Sequence, residues 1–153
     1  MATADNASIV KAVYEAFNRR DFDRLASYAA PDATATSMPS EAKGGFRDDW
    51  EAWGKGFPDG QIEVKNLIAQ GDHVVAEIVG RGTHTATLSG PGGDIAATGR
   101  RVELPLAEFY RFREGKIVEF RYYFDAFSLF QQLGIGAPEA VTGARGGTTQ
   151  PRQ

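Results

Sequence analysis

The hydrophobic pattern of this chain changes period at Pro58-Asp59-Gly60, and that switch constrains the fold more than any other feature. Before the turn, apolar residues recur at helical spacing; beyond it they alternate, as in strands with a covered face. Ser8 to Arg20 carries Ile9, Val13, Ala16 and Phe17 on one helical face, with Asp5, Asn6 or Ser8 placed to cap its start. Phe22, Leu25, Ala26 and Ala29 repeat the pattern, and Pro31 is expected to end that second helix. Thr34 and Thr36 suggest a brief strand or loop before Met38-Pro39. Gly44-Gly45 precede a third helix on which Trp50, Trp53 and Phe57 share a face.

Four alternating segments follow, Gln61 to Ile68, Val74 to Gly82, Arg100 to Phe112 and Lys116 to Asp125, and each predicts a strand. Gln70-Gly71-Asp72 and Glu114-Gly115 fit tight hairpin turns, while Ser89 to Gly93 fits a looser connection, so successive strands should be antiparallel. Helices followed by an antiparallel sheet define an α+β protein. A length of 153 residues suits one domain, assigned to residues 1–136. Residues 137–153, rich in Gly, Thr, Ala and Pro, are expected to be a flexible tail.

Composition narrows the chemistry. With 17 basic against 20 acidic residues, the chain lacks the positive excess that nucleic-acid binding uses, so nucleic acid is not an expected partner. The absence of cysteine excludes disulfides, thiolate metal sites and cysteine nucleophiles. Two separated histidines, His73 and His84, fall short of a metal-ligand set, so no metal is expected. The start Met-Ala-Thr-Ala-Asp-Asn lacks the basic residues and apolar run of a signal peptide. The longest uncharged stretch, Ala126 to Pro138, is shorter than the roughly 18 apolar residues of a membrane span. A cytoplasmic protein without membrane contact is the expectation.

In the last strand Arg121, Tyr123 and Asp125 alternate with Phe120, Tyr122 and Phe124. Aromatic residues on both faces suggest that helices cover one and a second subunit the other, a homodimer through the sheet. The alternative is that one face packs against the chain's own C-terminal segment. An unbroken register from the Glu114-Gly115 turn sets Glu108 opposite Arg121 and gathers Glu108, Arg121, Tyr123 and Asp125 on the face expected to meet the helices. Charged groups there are costly to bury unless paired or used, which makes the patch a candidate site. A solvent-facing Glu108–Arg121 salt bridge, worth about 0–1 kcal/mol, is the plainer reading of the same residues.

Tyr14-Glu-Ala-Phe-Asn18 with Asp21-Phe-Asp23, Phe57-Pro-Asp59, Gly82-Thr-His-Thr85, Thr98-Gly-Arg-Arg101, Phe112-Arg-Glu-Gly-Lys-Ile-Val118 and Asp125 with Phe130-Gln-Gln-Leu-Gly134 resemble, in order and spacing, the SnoaL-like polyketide cyclases of the nuclear transport factor 2-like superfamily. The resemblance spans Ser8 to Gly134. It implies a cone-shaped, strongly curved and mostly antiparallel sheet wrapped around N-terminal helices, an α+β barrel of the cystatin-like kind, enclosing a pocket and often dimeric. It also implies cofactor-independent acid/base chemistry, an intramolecular aldol on a hydrophobic, polyketide-like molecule, because a carbon acid flanked by carbonyls needs only proton transfer.

In that resemblance Asp125 matches the catalytic acid/base, His84 lies near the pocket mouth as a donor or proton shuttle, and Arg121 stands close enough to tune Asp125. His84 also reads as a strand-end histidine satisfied by backbone groups. Tyr14, Phe17, Met38, Trp50, Trp53 and Phe57 would supply apolar walls, although core packing explains most of them equally well. Tyr14 and Trp53 stand out because each carries a polar atom that needs a partner when buried. Tyr123 takes the place of a histidine that several such cyclases carry, and a phenol is a donor at neutral pH rather than a base. The steroid isomerases of this fold place an aspartate where this chain has Thr34-Ala-Thr-Ser37, which argues against that chemistry. Glu108, Arg121 and Asp125 could instead imitate the carboxylate–arginine–carboxylate set of epoxide hydrolases of the superfamily. A dimeric module that binds a small molecule without turnover is the remaining alternative.

Overall fold

The computed structural model describes residues 3–90 and 92–136, with Thr3 and Ala4 described by backbone alone, so the tail expected over 137–153 lies outside the described residues. Its elements are α1 (Thr3–Asn18), α2 (Phe22–Ser27), β1 (Ala29–Ser37), β2 (Gly44–Gly45), α3 (Phe46–Gly56), β3 (Gln61–Gln70), β4 (His73–Thr83), β5 (Leu88–Gly90), β6 (Gly93–Ile95), β7 (Arg101–Arg113), β8 (Lys116–Phe124) and α4 (Ala126–Leu133). The α+β class is as expected from the change of period, with helices before Gly60 and long alternating strands after it. Six strands form one sheet in the order β2-β1-β8-β7-β4-β3, and β5 with β6 form a separate hairpin. The large sheet is open, not closed into a barrel.

Three local outcomes differ from the expectation. The second helix ends at Ser27, and Ala29–Ser37 is a strand that runs through Pro31. It pairs parallel to β8, and the register slips between Ala29 and Thr34, which leaves Pro31 in a segment that owes no ladder hydrogen bond. Around the connection expected over Ser89 to Gly93, Ser89 pairs with Asp94 and Gly90 with Gly93 at the end of the β5–β6 hairpin. Beyond β8, Asp125 caps a fourth helix by accepting the Ser128 backbone N–H at 3.2 Å, and Gly134 ends it at φ 75°.

The β7–β8 hairpin decides which side chains see the interior. Arg113 pairs with Lys116 and Phe112 with Ile117, but Arg111 then faces Glu119, because Val118 is an extra residue on β8. Past this bulge Glu108 lies opposite Tyr122 and Phe109 opposite Arg121. The expected Glu108–Arg121 pairing is therefore incorrect, since a shift of one residue exchanges the faces of a strand. Glu108, Tyr110, Phe120 and Tyr122 point inward and are buried, whereas Arg111, Glu119, Arg121 and Tyr123 lie on the outer face.

The main core joins Val10, Val13, Tyr14 and Phe17 of α1 and Phe46 and Trp50 of α3 to the inner faces of β4, β7 and β8. Each such side chain contributes about 1.5–3 kcal/mol by leaving water. A second cluster unites Phe57, Leu88, Val102 and Leu104 with Leu129 and Leu133 of α4. No helix among the described residues is long and apolar enough to cross a membrane.

Candidate functional site

Between the inner face of the sheet and helices α1 and α3 lies a cavity of about 80 Å3. Its apolar walls are Phe17, Trp50, Trp53 and Phe57 from the helical half and Ile62, Ile78, Val102, Leu104, Leu106 and Phe120 from the strands. Asp49, Glu108 and Tyr122 are the polar side chains grouped on its α3, β7 and β8 walls. Arg81 also borders it, but its guanidinium is held by Glu63 at 2.8 Å and Glu103 at 3.1 Å.

Glu108, on β7, is 3% exposed. The Tyr14 hydroxyl donates to its Oε1 at 2.7 Å, and the Tyr110 hydroxyl is shared between Tyr14 at 3.0 Å and the same Oε1 at 3.3 Å. Burial pushes this carboxyl up to about 8, against the downward pull of the two phenols and with help from the nearby charge of Asp49. With Oε1 taken up by the phenols, Oε2 is left to carry the proton. Both phenols are themselves driven well above their ordinary range by burial first and the Glu108 charge second.

Asp49 sits in the first turn of α3 and is half-buried. Tyr122 donates to its Oδ1 at 3.0 Å, and Trp53 Nε1 donates in turn to the Tyr122 hydroxyl at 3.2 Å. Burial raises this carboxyl to about 6, opposed by the Tyr122 hydrogen bond. Near neutral pH the cavity thus holds one ionised and one protonated carboxyl. Such a pair is the pattern that divides base from acid within one site.

Of the residues singled out from sequence, Phe17, Trp50, Trp53, Phe57 and Glu108 line the cavity. Tyr14 stands behind it and reaches it through Glu108. The indole of Trp50 stacks on Phe120 at 5.3 Å, and its Nε1 is buried without a hydrogen-bond partner. Met38 follows β1 outside the lining, its backbone N–H donating to the Tyr122 carbonyl. Arg121 lies across the outer ring of Phe109 at 5.0 Å, and Tyr123 packs on the edge of the same ring at 5.7 Å. Asp125 is exposed at the start of α4. The expected gathering of Glu108 with Arg121, Tyr123 and Asp125 does not occur, because the Val118 bulge turns their strand over.

His84 is fully buried at the end of β4, outside the cavity lining. Its Nδ1 accepts the Thr98 backbone N–H at 3.2 Å, which places the ring proton on Nε2, and burial lowers its pKa. Its backbone exchanges further bonds with Thr98, Gly99 and Arg100. Among the described residues no group of three or more His, Asp or Glu side chains could hold a metal ion.

Asp49, Tyr110 and Tyr122 are the site residues that sequence reasoning passed over. A signal for Asp49 was present, since positions 49, 53 and 57 follow at intervals of four and so share the face of Trp53 and Phe57.

The model of the SnoaL-like polyketide cyclases matches residues 7–133. The chain belongs to this family. AclR of Streptomyces galilaeus, a candidate hydroxylase, is 30% identical, with 87% of this chain and 98% of AclR covered at a TM-score of 0.73. IdmH of Streptomyces antibioticus, a candidate polyketide cyclase, is also 30% identical, with coverage of 85% and 99% and a TM-score of 0.64. TsrD of Streptomyces laurentii shares the fold at 23% identity, covering 88% of this chain and 98% of its own, with a TM-score of 0.74. Among curated proteins none matches.

Proposed function

We propose that this SnoaL-like protein is a cofactor-independent acid/base enzyme of the cyclase type, acting on a hydrophobic, polyketide-like carbonyl compound, with Asp49 as base and Glu108 as acid. The observation that carries this reading is the pair of carboxyls on one apolar cavity, raised to about 6 and about 8. The ionised Asp49 takes a proton from the carbon beside a carbonyl, the C–H electrons form the C=C bond, and Glu108 protonates the oxygen that receives the carbonyl electrons. The enol carbon then bonds to a second carbonyl of the same molecule. Asp49 delivers its proton to that oxygen, and the enol proton returns to Glu108, so both groups end as they began. Apolar walls favour such a ligand because they shed water on contact and strengthen the charges inside. Asp125, Arg121 and His84, which the family resemblance brought forward, take positioning or structural parts in this reading.

A pH profile tests the assignment. With a cyclisable 1,3-dicarbonyl polyketide analogue, kcat/KM should follow a bell, falling below about 6 as Asp49 is protonated and above about 8 as Glu108 ionises. A profile that is flat from pH 5 to 9 rules the pair out. Saturable quenching of Trp50 or Trp53 with no product at any pH would instead mark a binding module. We further propose that the outer sheet face, where Tyr123 is 43% and Ile68 57% exposed, packs against a second copy in a homodimer.

A further inference from the structure

We infer that Gly80 is a specificity-determining residue, whose missing side chain leaves room for a remote ring of the substrate. Gly80 lies on the inner face of β4 and lines the cavity. A glycine inside a strand weakens it unless the backbone or the space requires one. At Gly80 the backbone does not, for its φ lies outside the left-handed region where Gly71 and Gly93 sit. Nor does close packing require it. A Cβ there would meet only Leu106 Cδ1 at 3.9 Å and the Leu104 carbonyl oxygen at 4.0 Å, both ordinary contacts.

Gly82, one inner position further along, behaves differently. A Cβ on Gly82 would stand 3.0 Å from Gly60 Cα and 3.1 Å from Phe57 Cβ, so that glycine lets the turn after α3 close on the sheet. Gly80 has no such neighbour, and what it leaves open is the cavity itself. The inner residues of β4 run Ala76, Ile78, Gly80, and Ala76 pairs with Glu108 on β7. Gly80 is therefore four residues, roughly 13 Å, along the strand from the row of the catalytic acid. A substrate with its reacting carbonyl at Glu108 and Asp49 would lay its far end against the bare backbone of Gly80, between Ile62 and Leu104. Contacts there act on binding and orientation, and not on the proton transfers.

This inference rests on the proposed function, and ligand size separates the two. Binding of phenol (one ring) and 2-naphthol (two rings) is followed by tryptophan fluorescence in the wild type, Gly80→Ala and Gly80→Val. The two-ring probe should weaken about threefold in Gly80→Ala and more than tenfold in Gly80→Val, while the one-ring probe changes less than twofold. Gly80→Ala should melt no lower than the wild type, so a folded variant remains if the valine is not accommodated. Equal loss of both probes, or loss of neither, overturns the role of Gly80 while leaving the acid/base pair in place. A wild type that binds neither ring overturns both.

Discussion

Strands β7 and β8 present two sets of acidic and polar side chains, one per face, in sharply different surroundings. On the inner face Glu108 is buried beneath two phenols and is pushed up to about 8. On the outer face Glu119 is 28% exposed and meets Arg111 at 3.1 Å and Arg121 at 4.0 Å. Both are glutamates on the same hairpin. The inner one is enclosed by low-dielectric walls, whose favour for its neutral form outweighs the opposing pull of the two hydroxyls, whereas the outer one meets guanidinium groups at the surface. Poising a carboxyl near neutral pH is here the work of desolvation without a countercharge.

Four substitutions test that contrast. The largest effect should come from Glu108→Gln, which keeps the shape of the buried network but removes the proton, lowering turnover about 10²–10⁴-fold. Asp49→Asn should do the same through loss of the base, and steady-state rates at pH 7 check both. If either variant keeps wild-type turnover, the inner face is a core and not a site.

Next in size is a stability effect of opposite sign. Glu108 binds its proton more tightly in the folded chain than at its ordinary value of 4.5, so the unfolded state ionises first as pH rises. Stability should be fully present near pH 4.5 and fall toward about 8, and Asp49 adds a like decline between 3.8 and about 6. Glu108→Gln should flatten this slope, recovering on the order of a few kcal/mol at pH 8 relative to pH 5. Urea melts at the two pH values measure it, and parallel slopes in the two proteins would refute the buried carboxyl.

Asp125→Ala should cost about 0.5–2 kcal/mol through loss of the α4 cap, with kcat unchanged. Abolished turnover in a folded Asp125→Ala protein would return the acid/base role to that residue. Arg121→Ala, on the outer face, should shift stability by about 1 kcal/mol or less and leave the pH profile alone.

The parts of this molecule that sequence made legible are those governed by local periodicity. Trp50, Trp53 and Phe57 were placed on a common face and line the cavity together. Tyr14 and Trp53, whose polar atoms need partners when buried, find them in Glu108 and Tyr122. What was not legible depends on pairing between distant segments. The β1 strand runs through Pro31 because parallel pairing with β8 lets the proline sit in a slipped register, which no local pattern announces. Helix α4 was hidden in an uncharged stretch, although Leu129 and Leu133 are one turn apart and Asp125 heads it. The pairing within the candidate patch was likewise not legible. Glu108 was chosen for a face that it does not share with Arg121, and the residue that does face it, Tyr122, was assigned to the other side.

Val118 gives this last point a wider meaning. A strand behaves as a two-phase code in which odd and even positions carry separate messages, and one supernumerary residue sets the phase in which β8 is read. Pairing β8 with β7 without the bulge would present Glu119, Arg121 and Tyr123 to the cavity and turn Phe120 and Tyr122 toward solvent, a wholesale exchange of lining that no single substitution achieves, whereas deleting Val118 would restore regular pairing in the present phase. The lining of this pocket thus depends on β8 taking up one unpaired residue between the Glu114-Gly115 turn and Phe120, the first aromatic ring that follows it.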